Sequence, residues 1–202
     1  MPPRPDIHLY HCPGTRSERV KLVLTRLDFP YRETLVDQSA GAQKSPDYLR
    51  INPFGKLPGL TLDGQPVVES AAQMLLLADL DPDARLAPRV DDPARAAYLQ
   101  WMVAAPVTLE PMVLPMFSRV PLPGARRNFN RALAFQAALY QGPYLAGDRL
   151  TAADIFLHWG LRLVSRMGLL KHDKLWTDYT ARLEEELNWA GLDHKTSALA
   201  ST

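Results

Sequence analysis

Sulfur and hydroxyl side chains are concentrated in one short segment, Tyr10–Val20, with the sequence YHCPGTRSERV. It holds Cys12, the single cysteine of the chain, together with the hydroxyls of Thr15 and Ser17. The segment lies where a predicted strand is followed by a predicted helix. A hydroxyl donor, a helix N-terminus and a cation, Arg16, are therefore available to stabilise a thiolate. The combination predicts sulfur chemistry, either on Cys12 itself or on the thiol of a bound molecule.

A second segment, Asn52–Leu60, has the sequence NPFGKLPGL, in which a proline begins a predicted strand after a Gly-Lys turn. Proline at that position removes a donor from the sheet. If the Leu57–Pro58 peptide is cis, the main chain of Leu57 points outward and can pair with an extended peptide, as an added strand would. Because most X-Pro bonds are trans, the residues alone favour the trans isomer and do not justify a cis bond here.

A third segment places Glu69 and Ser70 where a predicted strand ends and a helix begins. The free N–H groups of a helix N-terminus bind carboxylates, and the carboxylate of Glu69 can pair with an ammonium group. The simpler alternative is that Ser70 only caps the helix.

The elements that must position these segments alternate within the first 80 residues. Ile7–His11 has the pattern of a strand, Arg16–Leu27 carries apolar residues at helical spacing, and Asp63-Gly64 between apolar runs predicts a hairpin. A strand, a short helix, the hairpin and a further helix are predicted over Phe29–Asp37, Ser45–Pro53, Leu57–Ser70 and Ser70–Leu80. The predicted order is β-α-β-α-β-β-α.

Helical patterns dominate the second half of the chain. Asp92 is expected to cap the first helix with Pro93 at its first position. Thr151 opens a later helix, with Asp154 completing an acidic variant of the capping box. The remaining predicted helices cover Arg126–Gln141 and Leu175–Leu192.

These patterns divide the chain into an α/β domain over residues 1–80, a Pro- and Asp-rich linker over 81–92 and an all-α domain over 93–202. Pro106 and Pro111 are expected to bend or break the first helix of the all-α domain. The polar tail from Asp193 is expected to be loose.

Composition excludes several classes of function. The 202 residues carry a net charge of +1, which gives no electrostatic case for nucleic acid or an acidic membrane. No apolar run has the length of a signal peptide or membrane span, so we expect a cytoplasmic protein. One cysteine allows no internal disulfide, and the five histidines lack the spacing of ligands, so no metal is predicted.

Five motifs occur in an order that resembles cytosolic glutathione S-transferases, of the bacterial kind related to the theta, beta and zeta classes. They are IHLYH, CPGTRSERV, NPFGKLPGL, VVESAAQMLLLADL and GPYLAGDRLTAADIF. The resemblance extends from Ile7 to Leu187. It implies a thioredoxin-like N-terminal domain, a helical C-terminal domain that lines a hydrophobic substrate site, and a homodimer.

The resemblance also implies where glutathione would bind. Leu57–Pro58 would be the family's cis bond, and the main chain of Leu57 would pair with the cysteinyl unit of glutathione. Glu69 and Ser70 would hold the γ-glutamyl end, and Lys56 would meet the glycyl carboxylate.

The position of the catalytic group is set by alignment on ERVKLVL. That alignment puts the omega-type cysteine and the zeta-type serine at Gly14, the theta-type serine at Thr15 and the beta-type cysteine at Arg16. Cys12 precedes all of these positions. The preferred partner of the glutathione sulfur is therefore Thr15, followed by Ser17 and then Cys12.

Thr15 and Glu18 also form a T-x-x-E capping box. A threonine hydroxyl that accepts a hydrogen bond from the Glu18 N–H still has a proton to donate, so capping is compatible with thiolate binding.

The predicted function is conjugation of glutathione to small hydrophobic electrophiles. Substrate choice is expected around Ala104–Phe117. The alternatives are another glutathione-dependent activity (peroxide reduction, thiol transfer or isomerisation) and a non-catalytic binding or scaffold protein on the same fold.

Overall fold

A computed structural model of the chain describes residues 5–113, 124–140, 142–168, 170 and 173–189. The chain divides into two compact units, Met1–Leu86 and Ala87–Thr202. The predicted fold class is confirmed, because the first unit is a thioredoxin-like α/β unit and the described part of the second is helical.

A four-stranded mixed sheet forms the first unit, in the order β2-β1-β3-β4. Its strands are β1 (Ile7–His11), β2 (Arg32–Leu35), β3 (Gly59–Leu62) and β4 (Gln65–Val67). β1 is parallel to β2 and antiparallel to β3, and the β3–β4 pair is antiparallel. At the turn of that hairpin, Asp63 and Gly64 have φ values of 49° and 77°. Two successive positive φ values are typical of the predicted hairpin turn, which is confirmed.

The helices of the first unit are α1 (Ser17–Arg26), α2 (Pro46–Ile51) and α3 (Ser70–Asp79), with a short 3₁₀ turn at Ala42–Lys44. The crossover through α1 joins the two parallel strands, and α1 packs against α3. The core includes apolar side chains with at most 2% exposure, among them Ile7, Leu9, Val20, Val23, Leu24, Leu27, Leu60, Met74 and Leu77. This core fixes the ends of β1, β3 and α3 relative to one another.

The described helices of the second unit are α4 (Arg95–Ala104), α5 (Glu110–Val113), α6 (Ala125–Leu139), α7 (Ala152–Arg166) and α8 (Lys174–Leu187). Their buried side chains include Tyr98, Trp101, Met102, Phe129, Ile155, Phe156, Trp176 and Leu183. Among the helices described in either unit, none is long and apolar enough to cross a membrane.

The predicted start of the first helix of this unit is wrong by a few residues. The carboxylate of Asp92 accepts a hydrogen bond from the Ala94 N–H at 2.8 Å, and Pro93 lies inside this turn. The helix therefore begins at Arg95, after the turn that Asp92 closes, and Pro93 does not occupy its first position.

Pro106 interrupts the regular helix as predicted, whereas Pro111 lies inside the short helix α5 and does not break it. α4 is followed by a π-helical turn over Ala105–Leu109, which contains Pro106, and the chain then returns to α-helix. A π turn accommodates a residue that has no N–H to donate. The expected substrate segment Ala104–Phe117 is described as far as Val113. Its remainder and the tail from Asp193 lie outside the described residues.

Candidate active site

Ser17 connects the end of β1 with the start of α1. Its Oγ lies 2.7 Å from His11 Nδ1 and 2.7 Å from Thr15 Oγ1, and it accepts a hydrogen bond from the Cys12 N–H at 3.1 Å. The side chain has no exposed surface. Ser17 therefore faces the interior of the unit, where its hydroxyl organises the turn but is out of reach of solvent.

Thr15 is half-buried, and its Oγ1 lies 2.7 Å from the Cys12 carbonyl oxygen. Glu18 contributes to the turn before α1 through both its main chain and its side chain. The Glu18 N–H donates to the main-chain carbonyl of Thr15 at 3.1 Å, and the Glu18 carboxylate accepts from the Gly14 N–H at 2.7 Å. These two hydrogen bonds close the turn before α1, and the T-x-x-E capping box stays a prediction.

Cys12 is half-buried and packs against a small apolar cluster that consists of Val36, Tyr48 and Leu57. Its Sγ lies 3.6 Å from the Pro13 carbonyl oxygen. In the antiparallel register Tyr10 is opposite Gly59. The Leu57–Pro58 turn is therefore next to the turn that holds Cys12.

The Leu57–Pro58 peptide is cis, as the resemblance implied. Hydrogen bonds fix the carbonyls on either side of Leu57. Tyr48 Oη and Asn52 Nδ2 donate to the Lys56 carbonyl at 2.6 and 2.8 Å, and Asn52 Nδ2 also lies 3.4 Å from the Pro58 carbonyl. Among the described residues, the N–H and C=O of Leu57 itself make no hydrogen bond. Those two groups are available to an extended peptide.

Glu69 and Ser70 begin α3 in an arrangement that differs from simple capping. Glu69 is the N-cap residue, is exposed and has a φ of 69°, in the left-handed region that non-glycine residues rarely adopt. Ser70 is 8% exposed, and its Oγ accepts a hydrogen bond from Arg19 Nη2 at 2.8 Å. The alternative that Ser70 only caps the helix is wrong, because its side chain bonds a guanidinium of α1 instead of an α3 amide.

Sequence reasoning missed residues that hold these segments in place. Arg19, 1% exposed, is a cation on the buried face of α1, and its position among apolar residues was the only available signal. The bonds of Tyr48 and Asn52 to the Lys56 carbonyl had no signal in the sequence. Lys44, whose Nζ donates to the Phe54 carbonyl at 3.2 Å, adds a second cation near Lys56.

The three predicted segments thus meet within the first unit. Cys12 packs against the Leu57 cluster, and Arg19 joins α1 to Ser70. The arrangement offers a half-buried hydroxyl, a free stretch of main chain and an acidic residue at a helix N-terminus. Across the described ranges, no cluster of His, Cys, Asp and Glu side chains suits a metal ion.

Comparisons with known proteins identify the family. The family model described as the glutathione S-transferase N-terminal domain matches residues 5–78. Glutathione S-transferase GST-4.5 of Xanthomonas campestris pv. campestris is 31% identical over 173 residues, which cover 80% of this chain and 84% of that protein. The disulfide-bond oxidoreductase YfcG of Escherichia coli is 28% identical over 74% of this chain and 76% of its own length.

The fold is also shared with solved structures. A glutathione transferase homologue from Sulfitobacter, solved with bound glutathione, superposes with a TM-score of 0.80 at 24% identity over 95% of this chain and 98% of that chain. Taken together with the identity and coverage of the Xanthomonas relative, these matches show that the chain belongs to the glutathione S-transferase superfamily.

Proposed function

We propose that this protein conjugates glutathione to small hydrophobic electrophiles, and that Thr15 stabilises the glutathione thiolate. The observation that carries the proposal is the convergence of Thr15, the free main chain of Leu57 and the Glu69-Ser70 turn in one unit. The similarity to a homologue solved with bound glutathione supports it.

Each part of glutathione has a matching group in this site. The cysteinyl unit pairs with the main chain of Leu57 as an added strand would. The γ-glutamyl ammonium meets the exposed carboxylate of Glu69, and the γ-glutamyl carboxylate meets Ser70 at the N-terminus of α3. Lys56, which is exposed, pairs with the glycyl carboxylate. Pro58 fixes the turn that presents Leu57.

The thiolate is stabilised through a chain of hydrogen bonds that ends at Thr15. When His11 Nδ1 carries a proton, it donates to Ser17 Oγ, and the single proton of Ser17 then points to Thr15 Oγ1. Without a ligand the Thr15 hydroxyl donates to the Cys12 carbonyl at 2.7 Å, so in this proposal its proton turns from that carbonyl to the sulfur when glutathione binds. Because each hydrogen bond polarises the next, the terminal hydroxyl becomes a better donor to an anion. Ser17 acts here as a positioning residue.

The conjugation step requires an electrophile with a leaving group. The glutathione thiolate attacks an electrophilic ring carbon, a carbon–sulfur bond forms, and the carbon–halogen bond breaks as the halide ion leaves with its electron pair. In this proposal the electrophile is small and hydrophobic, the helical unit selects it, and the protein works as a homodimer.

The function is tested with purified protein, glutathione and chlorodinitrobenzene. We expect saturable turnover that depends on both substrates, together with glutathione binding measured by calorimetry. Absence of both binding and turnover would contradict the proposal. Tight binding without turnover of any tested electrophile would favour a non-catalytic binding or scaffold role.

Thiol transfer is a second candidate function, because half-buried Cys12 lies beside the Leu57 cluster, where the glutathione sulfur is expected. The similarity to a disulfide-bond oxidoreductase supports this candidate. A Cys12 thiolate would attack a disulfide of glutathione, form a mixed disulfide and release a glutathione thiolate.

Replacing Cys12 by serine separates the two functions. We expect Cys12→Ser to retain conjugation within about twofold, since the thiolate that reacts belongs to glutathione. Reduction of a glutathione mixed disulfide is measured on the same preparation. Loss of both activities in a folded Cys12→Ser variant would contradict the assignment of Thr15 and make Cys12 the catalytic residue.

A further inference from the structure

Arg19 and Ser70 form a buried pair whose direction is fixed by chemistry. Nη2 of Arg19 lies 2.8 Å from Ser70 Oγ, and the two residues are 1% and 8% exposed. A guanidinium has donors and no acceptor, so Ser70 Oγ must accept this hydrogen bond. The single hydroxyl proton of Ser70 is therefore turned away from Arg19 and available to another acceptor.

We propose that Arg19 is a positioning residue that makes Ser70 selective for the α-carboxylate of the γ-glutamyl unit of glutathione. The proposal rests on the proposed glutathione function and deepens it. By donating to Ser70 Oγ, Arg19 orients the Ser70 hydroxyl so that its proton points to the ligand. The guanidinium also places a positive charge next to Ser70, on the side away from the ligand.

Two physical effects support selectivity for an anion. A hydroxyl that accepts from a cation is a stronger donor, because hydrogen bonds in a chain polarise one another. A buried charge is also screened less than a surface charge, so Arg19 attracts an anion bound at Ser70 without touching it. The N-terminus of α3 adds a positive end of a helix dipole at the same place.

Two other charged residues lie on the same helices as Arg19 and Ser70. On α1, Lys21 lies two residues away but pairs with Glu33 of β2 at 2.9 Å. At the start of α3, the carboxylate of Glu69 is exposed and is assigned to the ligand ammonium. The pair of an exposed anion and a hydroxyl backed by a buried cation matches the ammonium and carboxylate of an α-amino acid end.

The test compares two ligands on two proteins. The first ligand is glutathione, and the second is 4-aminobutanoyl-cysteinylglycine, which lacks only the α-carboxylate of the γ-glutamyl unit. In the wild-type protein we expect glutathione to bind about tenfold more tightly than the analogue. In Arg19→Met we expect that preference to disappear, with affinity for the analogue unchanged and kcat at saturating glutathione within about twofold.

Matched variants separate positioning from simple loss of structure. Lys21→Met removes another buried cation from the same helix and should keep the tenfold preference. Arg19→Lys, which restores a charge, should recover part of it. Ser70→Ala should abolish the preference as Arg19→Met does, and it provides the same comparison if Arg19→Met yields little folded protein.

The outcomes distinguish this proposal from the function on which it rests. A wild-type protein that binds neither ligand overturns the proposed function and this proposal together. A wild-type protein that prefers glutathione, with the preference intact in Arg19→Met or Ser70→Ala, overturns only the role of Arg19. If Arg19→Met lowers the affinity for both ligands equally, the proposal is also overturned. Arg19 would then only hold α1 against α3 and would not select the carboxylate.

Discussion

Replacing Thr15 by valine is expected to lower kcat/KM for conjugation of glutathione about 100-fold. Valine keeps the volume and the β-branch but has no hydroxyl, so the ligand thiolate loses its donor. The Ser17 hydroxyl cannot take over, because it has no exposed surface and lies against His11 in the interior. The thiol of bound glutathione should then ionise closer to its ordinary pKa of about 8.5.

The ionisation is measured directly by the ultraviolet absorbance of the thiolate as pH is raised, and kinetically by the pH profile of kcat/KM. Thr15→Ser should retain most activity, because it keeps the donor. Thr25→Val is a matched control: its hydroxyl, which lies in the last turns of α1, donates to the Lys21 carbonyl at 3.0 Å and is assigned no role in the site. If Thr15→Val keeps full activity and Ser17→Ala loses it, the assignment of Thr15 is contradicted, and Ser17 would be the residue that stabilises the glutathione thiolate.

Several elements of the fold could be predicted because their signals are local. The strand pattern of Ile7–His11, the Asp63-Gly64 turn and the Thr151–Asp154 box each act over a few residues, and each appears in the fold. The helix starting near Asp92 was misplaced because the aspartate side chain bonds the Ala94 N–H, two residues on, and closes a turn before the helix begins. A single sequence pattern is compatible with both arrangements.

The site itself was predicted as a set of residues but not as an arrangement. The turn between β1 and α1 has no periodicity, so nothing in the sequence says that Ser17 points inward while Thr15 stays partly exposed. Arg19 and Ser70 are 51 residues apart, and their bond exists only because α1 packs against α3. The cis peptide at Leu57–Pro58 was implied by family resemblance, whereas residue preferences alone favoured trans.

Replacing Asp154 by asparagine is expected to lower the free energy of unfolding by about 4 kcal/mol, the largest effect on stability of any change considered. The carboxylate has no exposed surface and accepts four hydrogen bonds of 2.8–2.9 Å. The donors are the Leu145 N–H, the Thr151 N–H, the Thr151 hydroxyl and the Tyr179 hydroxyl. An amide has one acceptor oxygen, so its NH₂ group would face donors and leave some of them unsatisfied in the interior.

A single helix cap in the same unit provides the control. Asp173 begins α8, and its carboxylate accepts one hydrogen bond from the Trp176 N–H at 3.3 Å. Its replacement by alanine should cost only about 1 kcal/mol. Urea unfolding followed by circular dichroism measures both variants. Equal losses would mean that Asp154 acts as an ordinary cap. A much larger loss of unfolding free energy for Asp154→Asn would show that Asp154 does more than cap α7. Its hydrogen bonds to Leu145 and Tyr179, which a simple cap lacks, would then connect α7 with α8 and with the loop before α7.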